Sequence, residues 1–203
     1  MSETRHFDQA AATWDLEERR VRLARGVAKA IKTAVPLTKE LDVLDFGCGT
    51  GLVTLELAGQ VGSIAGADTS PGMLRALADK ANLQDRPLRL VELDPAGTGD
   101  LGGPYDLIVS SMTLHHVADV PALLDRFQRH LRPGGHVALA DLDEEDGGFH
   151  DDPDGVHHRG FPRGQIQAWL EEAGFRQVCV ETAAVTRKGD RDYPVFLASA
   201  RRT

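Results

Sequence analysis

The stretch from Val43 to Leu57, VLDFGCGTGLVTLEL, constrains this chain more than any other. An apolar run of strand character, Val43-Leu44-Asp45-Phe46, passes through glycines at 47, 49 and 51 and closes on helix formers with apolar residues at helical spacing. A strand that ends in glycines and turns directly into a helix is one half of a nucleotide-binding α/β unit. The glycines allow a tight turn and leave the backbone open to close approach. The helix start aims free N–H groups at whatever lies in the turn.

Spacing narrows the kind of nucleotide. A dinucleotide fingerprint is Gly-x-Gly-x-x-Gly, and Leu52 stands where its third glycine belongs. A Walker loop needs Lys followed by Ser or Thr at the helix start, and the chain has no such pair there. Asp45, just before the glycines, would repel a phosphate but suits a cation, so the turn reads as a site for a nucleoside carrying positive charge. The pattern Asp-x-Gly-x-Gly-x-Gly from Asp45 to Gly51 resembles motif I of the class I S-adenosylmethionine-dependent methyltransferases. Further segments resemble the same family, in order, from about residue 40 to the C-terminus.

The resemblance implies a Rossmann-like, seven-stranded, mostly parallel sheet with helices on both faces and an antiparallel last strand. It implies S-adenosylmethionine as cofactor, with S-adenosylhomocysteine as product, held at Asp45, Gly47, Cys48, Gly49 and Gly51. Val61 to Asp68 reads as a second buried strand ending in a carboxylate. One carboxylate can accept from both hydroxyls of a ribose, the role this architecture gives an acid at that strand end; the alternative is a turn or helix-capping aspartate before Ser70-Pro71. Pro71 then starts a helix through about Ala81. By resemblance Thr69, Ser70 and Met73 flank the adenine, and Asp94 or the neighbouring Leu93 backbone, at the end of a third strand from Leu88, receives its amino group. A polar turn residue before Pro95 is the rival reading of Asp94.

Tyr105 to Ser111 is the fourth strand, with Ser110 at its cofactor end. By resemblance the following Met112-Thr113-Leu114-His115-His116-Val117 passes beneath the methionine part of the cofactor and opens onto the substrate. A helix from Pro121 to Leu131 is expected to end on a left-handed Gly134 or Gly135. His136 to Leu142 is the fifth strand, Pro162 to Ala173 a helix, and Phe175–Arg187 with Tyr193–Ser199 a hairpin around Lys188-Gly189-Asp190. Before the first strand, a helix runs from about Leu16 to Ala34. Phe7, Asp8, Ala11, Trp14 and Asp15 resemble the segment that covers the cofactor in small-molecule methyltransferases, though Phe7 and Trp14 could equally dock that helix on the sheet.

At 203 residues the chain suits one domain, with 1–40 an N-terminal helical cap and 143–163 a loop on the substrate side. No run approaches the roughly 18 apolar residues of a membrane span, and the N-terminus has no apolar core of a signal peptide; a cytoplasmic protein without membrane partners is expected. A formal net charge of −8 argues against a nucleic-acid partner. The arginines at 19, 20, 22 and 25 stand close to Glu17 and Glu18, as on a solvated helix face with ion pairs. Cys48 and Cys179 read as small buried residues. Oligomeric state is left open.

Methyl transfer from a sulfonium is an in-line displacement by an already activated donor, so the protein must align the nucleophile and exclude water. A neutral nucleophile of high pKa also needs a base, for which histidine is suited. His115, His116, His150, His157 and His158 all fall on the substrate side. His157 or His158 is the preferred substrate-facing residue and base, with His116 next; an unperturbed histidine would give a rate rising near about pH 6.5. The cluster of His150, Asp151, Asp154, His157 and His158 lacks a spacing that fixes metal geometry, so no metal is assigned. After the fourth strand Ser-Ser-Met-Thr-Leu replaces the Asn/Asp-Pro-Pro-Tyr/Phe of enzymes that methylate amino groups of DNA bases and glutamine. A small-molecule acceptor is the expectation. The alternatives are a non-catalytic S-adenosylmethionine-binding module and an RNA or protein methyltransferase.

Overall fold

The structure, a computed structural model, describes residues 3–84, 88–94 and 99–203. Its elements are α1 (Glu3–Ala10), a 3₁₀ helix (Ala11–Leu16), α2 (Glu18–Ala34), β1 (Asp42–Phe46), α3 (Leu52–Ala58), β2 (Ser63–Asp68), α4 (Pro71–Leu83), β3 (Arg89–Glu92), β4 (Tyr105–Ser111), α5 (Val120–His130), β5 (Leu131–Leu142), α6 (Arg163–Glu172), β6 (Phe175–Lys188) and β7 (Arg191–Arg202), with a short 3₁₀ helix at Leu114–His116. The strands form one seven-stranded sheet in the order β3-β2-β1-β4-β5-β7-β6. β1 pairs in parallel with β2 and β4, β2 with β3, and β4 with β5, whereas β7 runs antiparallel to both β5 and β6. This is the mostly parallel sheet with an antiparallel last strand that the family resemblance implied.

The strand order reverses between β1 and β4. In open α/β sheets, ligands bind beyond the carboxyl ends of the strands at such a switch point, which is where the glycine turn and the Thr113–His116 segment meet. Alternation along the strands supplies both faces of the core. Leu44 and Phe46 of β1 with Ile108 of β4 face α5 and α6, while Val43, Leu107 and Val109 face α2 and α3. Helix α5 shows the cause of such packing. Asp119 caps it by accepting from the Ala122 N–H, and Val120, Leu123, Leu124 and Phe127 are its buried face. Each such side chain contributes roughly 1.5–3 kcal/mol by leaving water.

Three expectations are corrected. α5 does not end on a left-handed glycine: it stops at His130 because Leu131 is already extended (φ −86°, ψ 150°) and paired with Tyr105, so that Gly134 (φ +81°) lies within the first residues of β5, where the register against β4 shifts. The N-terminal helix begins at Glu18, preceded by α1 and the 3₁₀ turn, not at Leu16. Cys179 is exposed. It alternates with Val178 and Val180, which pack toward the α6 side, on the strand at the edge of the sheet.

Candidate cofactor and acceptor site

The turn after β1 is fixed from both sides. The N–H groups of Gly47 and Cys48 donate to the Ala67 carbonyl of β2 at 2.8 and 3.0 Å, and Gly51 N–H donates to Cys48 O at 2.9 Å. Gly47, Gly49 and Gly51 all have positive φ (69°, 53° and 82°), but for different reasons. A Cβ on Gly47 would run into the side chain of Thr113, and one on Gly51 into Leu77, whereas one on Gly49 would meet nothing within 4 Å. The outer two glycines serve packing. Gly49 faces open space at the switch point.

Two acids flank that space. Asp68, at the end of β2, accepts the Gly49 N–H on one oxygen (2.8 Å) and the Ser70 N–H on the other (2.9 Å); burial raises its pKa, opposed by those N–H groups. It is therefore a turn aspartate, and each oxygen keeps a second lone pair for a ribose hydroxyl. Asp45 is buried and accepts from Thr54 Oγ1 at 2.6 Å. Burial pushes it up to about 7, and the charge of Asp68 adds to the effect. A buried acid and a half-buried one, both with raised pKa and beside an open glycine, fit a nucleoside bearing a sulfonium cation, whose charge would favour both carboxylates.

The remaining cofactor candidates take varied places. Cys48 is buried, and burial raises its thiol pKa well above the usual value, which marks it as inert packing. Ser110 is buried with its hydroxyl on the Phe46 carbonyl at 2.9 Å, so it ties β4 to β1. Met73 is buried at the start of α4, where its N–H donates to Ser70 Oγ (3.1 Å). Thr69 is half-buried. Leu93 is buried and its N–H is taken by the Asp68 carbonyl (2.9 Å), leaving its carbonyl as the group that could accept from adenine. Asp94 is half-buried next to it, close enough for its charge to act on Arg126.

The N-terminal segment is fastened over this region by two aspartates that sequence reasoning placed there without partners. Asp8 accepts from Ser70 Oγ (2.6 Å) and the Gly72 N–H (2.8 Å) at the start of α4. Asp15 accepts from Thr50 Oγ1 and from Lys80, both at 2.6 Å. Phe7 meets Trp14 edge-on at 5.8 Å and His116 at 5.3 Å.

On the other side of the turn, Met112 takes a left-handed conformation (φ +57°), rare for a side chain of its size. The turn brings Thr113 back to donate to Gly47 O at 3.3 Å and leads into three histidine rings. His115 lies 4.2 Å from His116 and 4.7 Å from His150, and His116 lies 6.0 Å from His150. His115 and Asp141 are 2% and 0% exposed, with Nδ1 and Oδ1 2.7 Å apart. The His115 N–H also reaches Asp141 (3.2 Å). Burial opposes ionisation of Asp141, but the His115 charge and hydrogen bonds outweigh it and hold its carboxyl below the usual range. His116 Nδ1 faces the Gly155 carbonyl at 2.9 Å. A carbonyl only accepts, so Nδ1 carries the proton and Nε2 the lone pair. Burial, then the neighbouring His115, lowers His116 to about 4, and the same two causes lower His150 to about 4.

Of the histidines favoured from sequence, His157 and His158 donate their N–H groups to the His115 carbonyl (2.9 and 3.2 Å). The His157 side chain is exposed. His158 Nε2 lies 3.0 Å from the Val117 carbonyl, and its ring packs on Phe161 at 4.9 Å. These contacts anchor the 143–161 loop, whereas His116 and His150 lie with His115 in the ring cluster. Among the described residues no three ligating side chains are grouped to hold a metal ion, and no helix is long and apolar enough to cross a membrane. Asp141 carried no sequence signal beyond its place in an apolar strand, and His150 stood among the substrate-side histidines without being ranked above His157, His158 or His116.

Fold and turn together define a nucleoside-binding protein of the class I S-adenosylmethionine-dependent type. The family described as a methyltransferase domain matches residues 16–180, and the chain belongs to it. Relatives include the biotin biosynthesis bifunctional protein BioCD of Bordetella avium, 40% identical over 146 residues, 70% of this chain and 30% of that protein. Another is the trans-aconitate 2-methyltransferase of Deinococcus radiodurans, 36% identical over 115 residues, 55% of this chain and 42% of that one. The chain thus spans less than half the length of either. Among solved structures, the Haemonchus contortus phosphoethanolamine N-methyltransferase 2 in complex with S-adenosyl-L-methionine superposes with a TM-score of 0.65 at 18% identity, covering 86% of this chain and 52% of that one. The [4+2]-cyclase SpnF superposes with a TM-score of 0.71 at 20% identity, covering 90% and 80%. Likeness at these identities is one of fold.

Proposed function

We propose that the chain transfers a methyl group from S-adenosylmethionine to a small-molecule nucleophile held between the N-terminal segment and the histidine cluster. One observation carries this reading. Residues 7 and 8 touch both halves of the site, Phe7 against His116 and Asp8 on Ser70 and Gly72 beside Asp68.

When bound, the cofactor supplies an electrophilic methyl group on a sulfonium. Asp45 and Asp68 favour the cation and orient the ribose, the glycine turn admits the nucleoside against the backbone, and Leu93 O or Asp94 accepts from the adenine. Phe7 and Trp14 exclude water, without which a positioned nucleophile gains little over solution. His116 forms the wall against which the acceptor rests, its lone pair at Nε2. His157 and His158 hold the loop behind it.

A second reading is that the chain binds the nucleoside without methylating anything, since the same fold serves a protein named as a [4+2]-cyclase. Incubation with labelled S-adenosylmethionine and a panel of phenols, thiols, amines and carboxylates separates the two. Label recovered in a small acceptor supports methyl transfer. Cofactor binding without label transfer to any small molecule supports the binding module, and label transferred only to RNA or protein moves the acceptor to a macromolecule.

A further inference from the structure

Three buried side-chain atoms have no hydrogen-bond partner among the described residues, and two of them, His150 Nε2 and Glu145 Oε1, belong to the loop beside the histidine cluster. Native structures satisfy buried polar atoms, so an orphaned imidazole nitrogen in a proposed active site points to a ligand that completes it. Its setting is built on purpose-shaped contacts. The His150 ring packs 4.7 Å from His115, whose Nδ1 is 2.7 Å from the fully buried Asp141. Phe149 flanks it at 4.9 Å and is itself held by Tyr193 at 5.1 Å. Glu145 Oε2 accepts the N–H groups of Gly147, Gly148 and Phe149 (2.8, 2.8 and 3.2 Å), which fixes the turn that delivers His150.

We propose that His150 is the catalytic base, that its Nε2 takes the proton of a phenolic hydroxyl acceptor, and that Asp141, acting through His115, is its positioning partner. The inference rests on the methyl-transfer reading above and adds the acceptor class to it. A carboxylate acceptor is already an anion and needs neither a proton acceptor nor a buried anion behind it; a phenol, of pKa about 10, needs both. In the displacement, the bond from the phenol oxygen to the methyl carbon forms as the carbon–sulfur bond breaks. The electron pair of the broken bond stays on sulfur, which becomes a neutral thioether, and the hydroxyl proton goes to His150. The charged and titratable groups acting on that ring are His115 and Lys188, which disfavour a proton there, and Asp141 and Glu145, which favour it. Burial keeps the imidazole neutral before the acceptor arrives, and the two carboxylates compensate the charge that arrives with the proton.

The test uses the full chain with three probes: phenol, a nitrophenol of low pKa, and benzoate. Phenol turnover in His150→Gln should fall by about 10²–10⁴-fold, the usual worth of a general base. The loss should be much smaller on the nitrophenol, which is already ionised. Asp141→Asn should show the same phenol-selective loss. S-adenosylmethionine affinity by calorimetry should stay within about twofold, and nitrogen NMR should report a neutral His150 ring at pH 7 in the parent. Equal losses on the two phenols, unchanged phenol turnover, or methylation of benzoate with phenol inert would overturn the proposal and leave small-molecule methyl transfer standing. Both phenols and benzoate inert while a thiol or amine is methylated would overturn the proposal alone, and cofactor bound with no phenol, carboxylate, thiol or amine methylated would overturn both.

Discussion

The two halves of the site are built on opposite plans. The cofactor half is local: Asp45, the glycine turn and Asp68 lie within one β-turn-α-β unit, and its contacts are mostly backbone N–H groups and short side chains. The acceptor half is assembled from Phe7, His115 and His116, Asp141, and the 145–158 loop, segments separated by up to the length of the sheet's connections. Local construction ties binding to a few backbone angles, which must be right before any ligand arrives. Long-range construction lets the acceptor pocket change while the sheet stays as it is, so substitutions in the two halves should damage different quantities.

The largest effect belongs to the glycine turn. Gly49→Val should remove S-adenosylmethionine binding beyond calorimetric detection, because the new side chain projects into the open space at the switch point; its positive φ should add about 1–3 kcal/mol of strain. Gly51→Ala, which runs into Leu77, should chiefly lower the melting temperature. If Gly49→Val binds normally, the open space is not the nucleoside's. Next comes the acceptor wall. His116→Ala should lower turnover by at least about 10-fold with cofactor affinity unchanged, a split the reverse of that for Gly49.

The pH dependence separates the halves again. A histidine near its ordinary value would make the rate climb around pH 6.5, but His116 and His150 are lowered to about 4 and are neutral throughout the neutral range. The proton-accepting step should therefore be flat above about pH 5.5. Cofactor affinity should instead rise with pH through about 7, as Asp45 ionises to meet the cation, with a limit of tenfold per pH unit below that value. The sign for stability is opposite. Because the folded-state pKa of Asp45 is raised, its stabilising contribution is present below pH 4 and is lost as pH rises through 7. Asp45→Asn, which can keep the contact with Thr54, should thus raise the melting temperature of the ligand-free protein at pH 8 and flatten the rise of affinity with pH. The smallest expected effect is at the strap: Asp8→Ala removes a carboxylate from the start of α4 and should lower stability by about 1 kcal/mol, as losing a cap does, read as a lower melting temperature.

The same contrast explains what could be read in the sequence. The glycine turn and the carboxylate ending β2 were legible because each rests on spacing along a single stretch, and the sheet was legible through the family resemblance that these stretches carry. Pro71 at the start of α4 and the hairpin of β6 and β7 were likewise legible from spacing along a single stretch. The end of α5 was misjudged because Leu131 is claimed by a strand partner, Tyr105, that no local pattern reveals. Exposure of Cys179 depends on which face of an edge strand is covered, which is a tertiary fact. Within the 143–161 loop, residue type alone could not rank the histidines. His158 turned out to brace the loop on Val117, while His150 was carried into the ring cluster by a turn that Glu145 closes. Asp141 looks like any polar residue in a strand until β4 and β5 are paired and His115 is set beside it.

The separability of the two halves is the central claim, and one calorimetric experiment tests it: titration of S-adenosylmethionine into Asp68→Ala and His116→Ala side by side with the parent. Loss of the Asp68 carboxylate should weaken binding by about 1.5–3 kcal/mol, the range for hydrogen bonds to a charged group, while His116→Ala should bind within about twofold of the parent. Equal losses in the two variants, or full affinity in Asp68→Ala, would contradict the account.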